Sequence, residues 1–443
     1  MKHALRLRTA AAGATALTLA FALAACSGGS DGSETPNNDG QSNNSDNSSG
    51  EEITLRVGTF NEFGYKAAGL YDQYMEENPH IKIEEVLAAE AGEVMATVKS
   101  GLAAGSGLPD VQAIEGDWMP EFAQSASLFA DLSDSSLDGR WPAYIVEPAT
   151  VDGTLLGYAT DTGPEAICYR QDLFEEAGLP TDRAEVAALL EGDWDRYFEV
   201  GKDFVAKSDK AWFDSAGANY QAMVKQVENA YENSDGTPMD LETNNTIKGL
   251  YEQIAKASVE DGLSAHFGQW GDDWFSAFQN GAFATMLCPA WMTPIIENSA
   301  AGVDGWNIAD VFPGGGGNWG GSYLTVPAQG ANIEEAKKLA AWLTAPEQTA
   351  KVFTEVGNFP SQIEAQQTPE VQDKVNPFFN DAPVGEIFAN RAAAITVVPY
   401  VGPNFAAIHQ TVQDALNRVD IEQSQSVDEA WQQAVADFKS LGL

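Results

Sequence analysis

The chain has 443 residues, with 65 Asp and Glu against 24 Lys and Arg and a formal net charge of −41. That balance excludes nucleic acid and anionic lipid headgroups as partners, because both are held by basic surface. The length allows two or three domains around a sizeable core.

Residues 1–25 read as a signal peptide, with Lys2, His3, Arg6 and Arg8 ahead of an apolar run that contains no acidic residue. The run ends in Leu23-Ala24-Ala25-Cys26, which looks like a bacterial lipobox and implies cleavage before Cys26 and lipidation there. Residues 27–50 hold no apolar side chain except Pro36, so residues 26–50 read as a lipidated Cys followed by a disordered tether. Such a tether spans roughly 25–30 Å. The expected location is the extracellular face of a cell membrane, anchored through Cys26. Cys168 and Cys288 lie in apolar runs with strand character, open both to a disulfide and to two buried thiols.

From Ile53 the pattern turns regular. Ile53–Phe60 alternates as a strand, 65–78 is a helix closed by Asn78-Pro79, and 81–86 is a second strand. A helix over 90–104 and a strand over 110–114 follow. This alternation predicts a parallel sheet with right-handed crossovers, whose ligands sit at the carboxyl ends of the strands. Asn61, Glu62, Asp117 and Trp118 occupy those ends. Asp182 and Glu185 are spaced as a capping box, as are Ser426 and Glu429 before the last helix. Pro313–Pro327 holds four consecutive glycines, then Asn318-Trp319, Gly320-Gly321 and a strand. It reads as a mobile ligand-facing loop and a return path between lobes. A phosphate loop would need a Lys that is absent there.

Read together, these segments resemble the extracellular solute-binding proteins of ABC transporters, in the carbohydrate-binding group that includes maltose-binding protein. The pieces are the first strand with Asn61-Glu62, Pro109-Asp110-Val111, the run Ile167 to Pro180, and Asn280-Gly281 to Met286 with Trp291. Gly320-Gly321-Ser322, the pair of helices over 336–347 and Phe359-Pro360-Ser361 complete them. Arg170 departs from the pattern, which has Asn more often. The resemblance implies an α/β, two-lobed periplasmic-binding-protein-like fold, two doubly wound sheets joined by a hinge, with ligand between the lobes. By analogy, lobe 1 is 51–161 with 326–390, and lobe 2 is 162–325 with 391–443. It implies a monomer that captures an oligosaccharide, delivers it to ABC permease subunits and catalyses nothing, with no cofactor and no metal. A polyamine or peptide cargo and a secreted glycoside hydrolase are the alternatives.

Binding a sugar needs aromatic rings for its C–H face and fixed polar groups for its hydroxyls. Trp342, Trp431, Trp194 and Trp141 lie in or beside helices and are expected in the core. Trp118, Trp291 and Trp319 follow strands or sit in loops and are expected at the ligand, with Trp270 beside them. Asp161 and Glu165 flank the first crossover. Tyr220, Tyr400 and Phe405 correspond to further aromatic subsites of the family.

Overall fold

The computed structural model describes residues 52–89 and 91–443. The signal peptide, Cys26 and the tether lie outside these residues. Two sheets organise the chain. In the first, the order is β2-β1-β3-β10-β6: β1 is Ile53–Phe60, β2 Ile81–Ala88, β3 Val111–Glu115, β6 Gly157–Ala159 and β10 Ser322–Thr325. A short hairpin of β4 (Thr150–Val151) and β5 (Thr154–Leu155) precedes β6. β1 runs parallel to β2 and β3, as the strand–helix alternation predicts, and β10 runs antiparallel to both β3 and β6.

The second sheet is β8-β7-β9, with β7 Glu165–Arg170, β8 Thr285–Pro289 and β9 Trp306–Ala309. Both outer strands run antiparallel to β7. All six residues of β7 are buried, so this strand is the spine of its layer. Cys168 and Cys288 are disulfide-bonded, tying β7 to β8 across 120 residues of sequence.

The apolar cores do not follow the lobe boundaries expected from analogy. The first gathers Leu55, Val57, Ile114, Leu324, Leu339 and Leu343 around the five-stranded sheet. Two more flank the three-stranded sheet: one holds Tyr169, Phe174, Trp212, Leu416 and Trp431, the other Cys168, Trp274, Trp306, Phe379 and Phe388. Two corrections follow. β10 belongs to the first lobe's sheet, although it falls before residue 326. Val371–Phe388 packs with the second lobe, because its apolar side chains fill the face of β7 that carries Cys168.

Local chemistry accounts for the element ends. The helix expected from 65 begins at Leu70, because Gly69 at its N-cap is left-handed with φ 68°. Ser426 and Glu429 form the full reciprocal capping box. Asp182 caps Ala184 and Glu185 through their backbone N–H groups, and its helix runs Arg183–Leu190.

Candidate functional site

Three passages of chain lie side by side between the two sheets. Thr160 N–H donates to Ser322 O at 2.8 Å, Thr162 N–H to Phe359 O at 2.9 Å, and Trp319 N–H to Gly163 O at 2.9 Å. Asn318 Oδ1 accepts from Thr162 Oγ1 at 2.6 Å and from Gly163 N–H at 2.9 Å. Gly163 is required by this approach: a Cβ there would sit 1.8 Å from Trp319 O. The glycine run is therefore stitched down, contrary to the expectation of a mobile loop. Gln226 Nε2 donates to Pro313 O and Gly316 O, and Arg391 donates to Gly315 O.

A cavity of about 600 Å³ opens beside these crossings. Asn61, Glu62, Asp117, Trp118 and Asp161 line it on the first lobe's side; Trp270, Trp291, Trp319 and Phe405 line it on the other. Asn61 has φ 50°, which turns the chain out of β1. Asn358 Nδ2 fastens that turn through Glu62 O at 2.8 Å. Asn61 Oδ1, Asn358 Oδ1 and the hydroxyl of Tyr65, itself 1% exposed, have no partner within the protein. Groups of this kind at a cavity wall suit the hydroxyls of a ligand.

The opposite wall is aromatic. Trp291 stacks near-parallel on Trp270, with centroids 6.1 Å apart and planes at 19°, and meets Trp319 edge-on at 5.2 Å. Its indole N–H donates to Trp319 O at 2.7 Å, which fixes the ring. Trp270 takes a left-handed φ of 72°, and its loop is held from behind by Asp214. That buried carboxylate accepts from Gln269 Nε2 at 2.9 Å and from Trp274 Nε1 at 3.0 Å. Burial still pushes Asp214 up to about 6, the hydrogen bonds opposing it in part.

Carboxyls gather where the walls meet. Burial drives Glu115 well above the ordinary range, Asp117 adding to the rise and Lys225 opposing it. Asp161 rises to about 6 through burial, although Thr160 Oγ1 and Ser322 N–H both donate to it. Lys225, at the end of the helix Ala216–Val224, bonds Asp117 across the gap and lies 4.7 Å over the ring of Phe405. Behind this pair is a second cavity of about 140 Å³, shared by Asp117, Asp161 and Lys225. Among the described residues no three His, Cys, Asp or Glu side chains are grouped to hold a metal ion.

These arrangements match a known architecture. A model of the bacterial extracellular solute-binding proteins matches residues 69–380. The chain belongs to that family. A crystal structure of an extracellular solute-binding protein of family 1 superposes with a TM-score of 0.78 at 47% identity, over 88% of this chain and 99% of that one. A binding protein of Bifidobacterium animalis subsp. lactis Bl-04, solved with β-1,6-galactobiose, superposes with a TM-score of 0.74 at 20% identity, over 89% and 99%. The lactose-binding protein of Rhizobium radiobacter is 26% identical over 344 residues, 74% of this chain and 79% of that protein.

Within this solute-binding protein three expected site residues lie elsewhere. Glu165 is fully buried in β7, its carboxyl oxygens unpartnered and its pKa raised by burial, with Lys225 opposing. Tyr220 is also fully enclosed, donating to or accepting from Tyr231 at 2.7 Å and stacked on His409. Tyr400 is outside the cavity, its backbone N–H on Glu228 O. Their positions follow from neighbouring elements rather than from their own segments. The cavity also takes residues the sequence reading passed over: Gln410, Gln413, Asp414 and Asn417 on the helix Phe405–Asp420, and Gln221 and Gln269. Positions 410, 413, 414 and 417 repeat at helical spacing, a polar stripe opposite buried Ile408, Val412 and Ala415. Trp141, Trp194 and Trp431 are buried, and Trp342 packs edge-on to Tyr74 in the first core.

Proposed function

We propose that this protein is a carbohydrate receptor that captures an oligosaccharide in the cavity between its lobes and hands it to an ABC importer without turnover. The carrying observation is the pairing of walls. Trp270, Trp291 and Trp319 offer flat apolar faces, while Asn61, Asp117 and Asp161 oppose them with polar groups. A volume of about 600 Å³ suits a ligand of more than one sugar ring. Sugar ligands of the relatives, lactose and β-1,6-galactobiose among them, support the same reading. The chain crossings at Thr160–Glu165 and Asn318–Ser322 supply the hinge. The ligand-binding role of the cavity residues, the monomeric state and the lobe division at these crossings are part of this proposal.

Two experiments test it. Tryptophan fluorescence of residues 51–443, titrated with neutral di- and trisaccharides, should change saturably while the sugar is recovered intact. Response to polyamines or peptides alone would reject the sugar; released monosaccharide would reject the receptor. Cys26, through the lipobox before it, anchors the protein to the membrane surface. Replacing it by Ser should release the protein into the medium in place of the labelled, lipid-bearing form.

A further inference from the structure

The cavity wall carries Glu62, Glu115, Asp117, Asp161, Asp414 and Asp420, and among the described residues no Lys or Arg. Acidic residues alone would say little. The second observation is that Lys225 and two of the helix starts beside this cavity already hold a carboxylate of the protein. Lys225 is ion-paired with Asp117. The helix Ala216–Val224 points its N-terminus at the cavity through Ser215, Gly217 and Ala218, and its Ala216 N–H donates to Asp420 Oδ2 at 2.7 Å. The helix Phe405–Asp420 does likewise, and there Glu232 accepts from Asn404 N–H at 3.2 Å and from Asn404 Nδ2 at 2.9 Å. His409 is enclosed by Tyr220 and Phe405, and burial holds it neutral with a pKa of about 3.

A helix N-terminus and a free ammonium are the features that normally receive an anion in a protein. Here Lys225 and one N–H at each of these two helix starts are held by carboxylates before a ligand arrives, while Tyr65 Oη, buried at the wall, remains a neutral donor without a partner. We infer that the cavity admits uncharged or amine-bearing saccharides and rejects uronates and other anionic sugars, with Asp117 and Asp414 enforcing the rejection. A carboxylate on the ligand would lose its hydration and meet like charge and neutral donors, with no free cation among the described residues of the wall. An ammonium on the ligand would meet Asp117, Asp161 or Asp414. The inference rests on the receptor reading above and specifies its cargo.

The test uses the mature protein and three neutral probes, lactose, β-1,6-galactobiose and maltotriose. Each is paired with a counterpart oxidised to a carboxylate at C6 of the non-reducing sugar and a counterpart bearing an amine there. For any probe that binds, calorimetry should show the carboxylate form at least 100-fold weaker and the amine form within 10-fold of the neutral one. A carboxylate form within 10-fold of its parent, or binding where the parent does not, overturns the inference while leaving the sugar reading standing. Silence from all nine removes the sugar reading, and this one with it. Asp117→Asn releases Lys225, and Asp414→Lys places a cation at an exposed position on the rim. Either should bring carboxylate affinity up at least 10-fold; no gain in both variants overturns the role of these two residues.

Discussion

The two walls of the cavity are held by different means. The aromatic wall is held by packing and by hydrogen bonds made away from the ligand. Trp291 is fixed by Trp319 O, and the Trp270 loop by Asp214, so the rings stand in place before anything binds. The first lobe's wall sits at the ends of β1 and β3, where Asn61 and Tyr65 keep polar atoms without protein partners. One wall is preorganised by satisfaction, the other by polar groups kept free. Affinity should follow the first and selectivity the second.

Removing the support of the aromatic wall should have the largest effect. Asp214→Ala leaves the Trp274 and Ser215 donors buried, and the half-buried Gln269 amide, without their acceptor. A stability loss of about 2–4 kcal/mol is expected in urea unfolding. Binding should weaken as well, since the Trp270 loop is released; an unchanged affinity would mean that this loop is not held for the ligand. Trp291→Ala comes next. It removes the ring between Trp270 and Trp319 and should weaken sugar binding by about 2–3 kcal/mol, roughly 30- to 150-fold, with the circular dichroism spectrum preserved.

The carboxyl wall should respond to pH. Asp161 titrates at about 6 in the folded protein against an ordinary 3.8, so the folded state holds its proton more tightly. Its contribution to stability is full below the ordinary value and is lost as pH rises through about 6. Asp161→Asn should therefore gain on the parent by about 1–2 kcal/mol between pH 4 and pH 8. Thermal melts across that range measure it, and parallel pH profiles would remove Asp161 as the titrating group. The smallest effect belongs to the tie between the walls. Lys225→Met keeps the side-chain stem against Phe405 but removes the ion pair with the half-buried Asp117, at about 1 kcal/mol.

How far the sequence carries follows from which residues act through their own segment. Ile53–Phe60 alternates and ends in Asn61, so strand and cavity edge are legible together. Trp291 follows β8 directly, and its ring reaches the cavity as its place in the chain suggests. Tyr220 fails this test, because its exposure depends on the helix Phe405–Asp420, which arrives almost two hundred residues later and covers it. Glu165 fails likewise, its backbone N–H held by Gly317 O and its carboxyl set against Gly317, in a distant loop. The polar stripe from Gln410 to Asn417 was readable as a solvated face; that it faces a cavity instead comes from tertiary contact alone. The antiparallel course of β10 is equally non-local, since its partners lie far earlier in the chain.

β10 also has a consequence for how the molecule is made. It lies between β3 and β6, and β6 pairs with no other strand of its sheet. As the chain folds, Gly157–Ala159 therefore keeps an unmet edge and waits for Ser322–Thr325. Nearly all of the intervening chain belongs to the other lobe, so the nascent first lobe stays open on one side until its neighbour has emerged. A ribosome stalled before residue 322 should display a protease-sensitive first lobe, and one stalled well beyond residue 343 a resistant one.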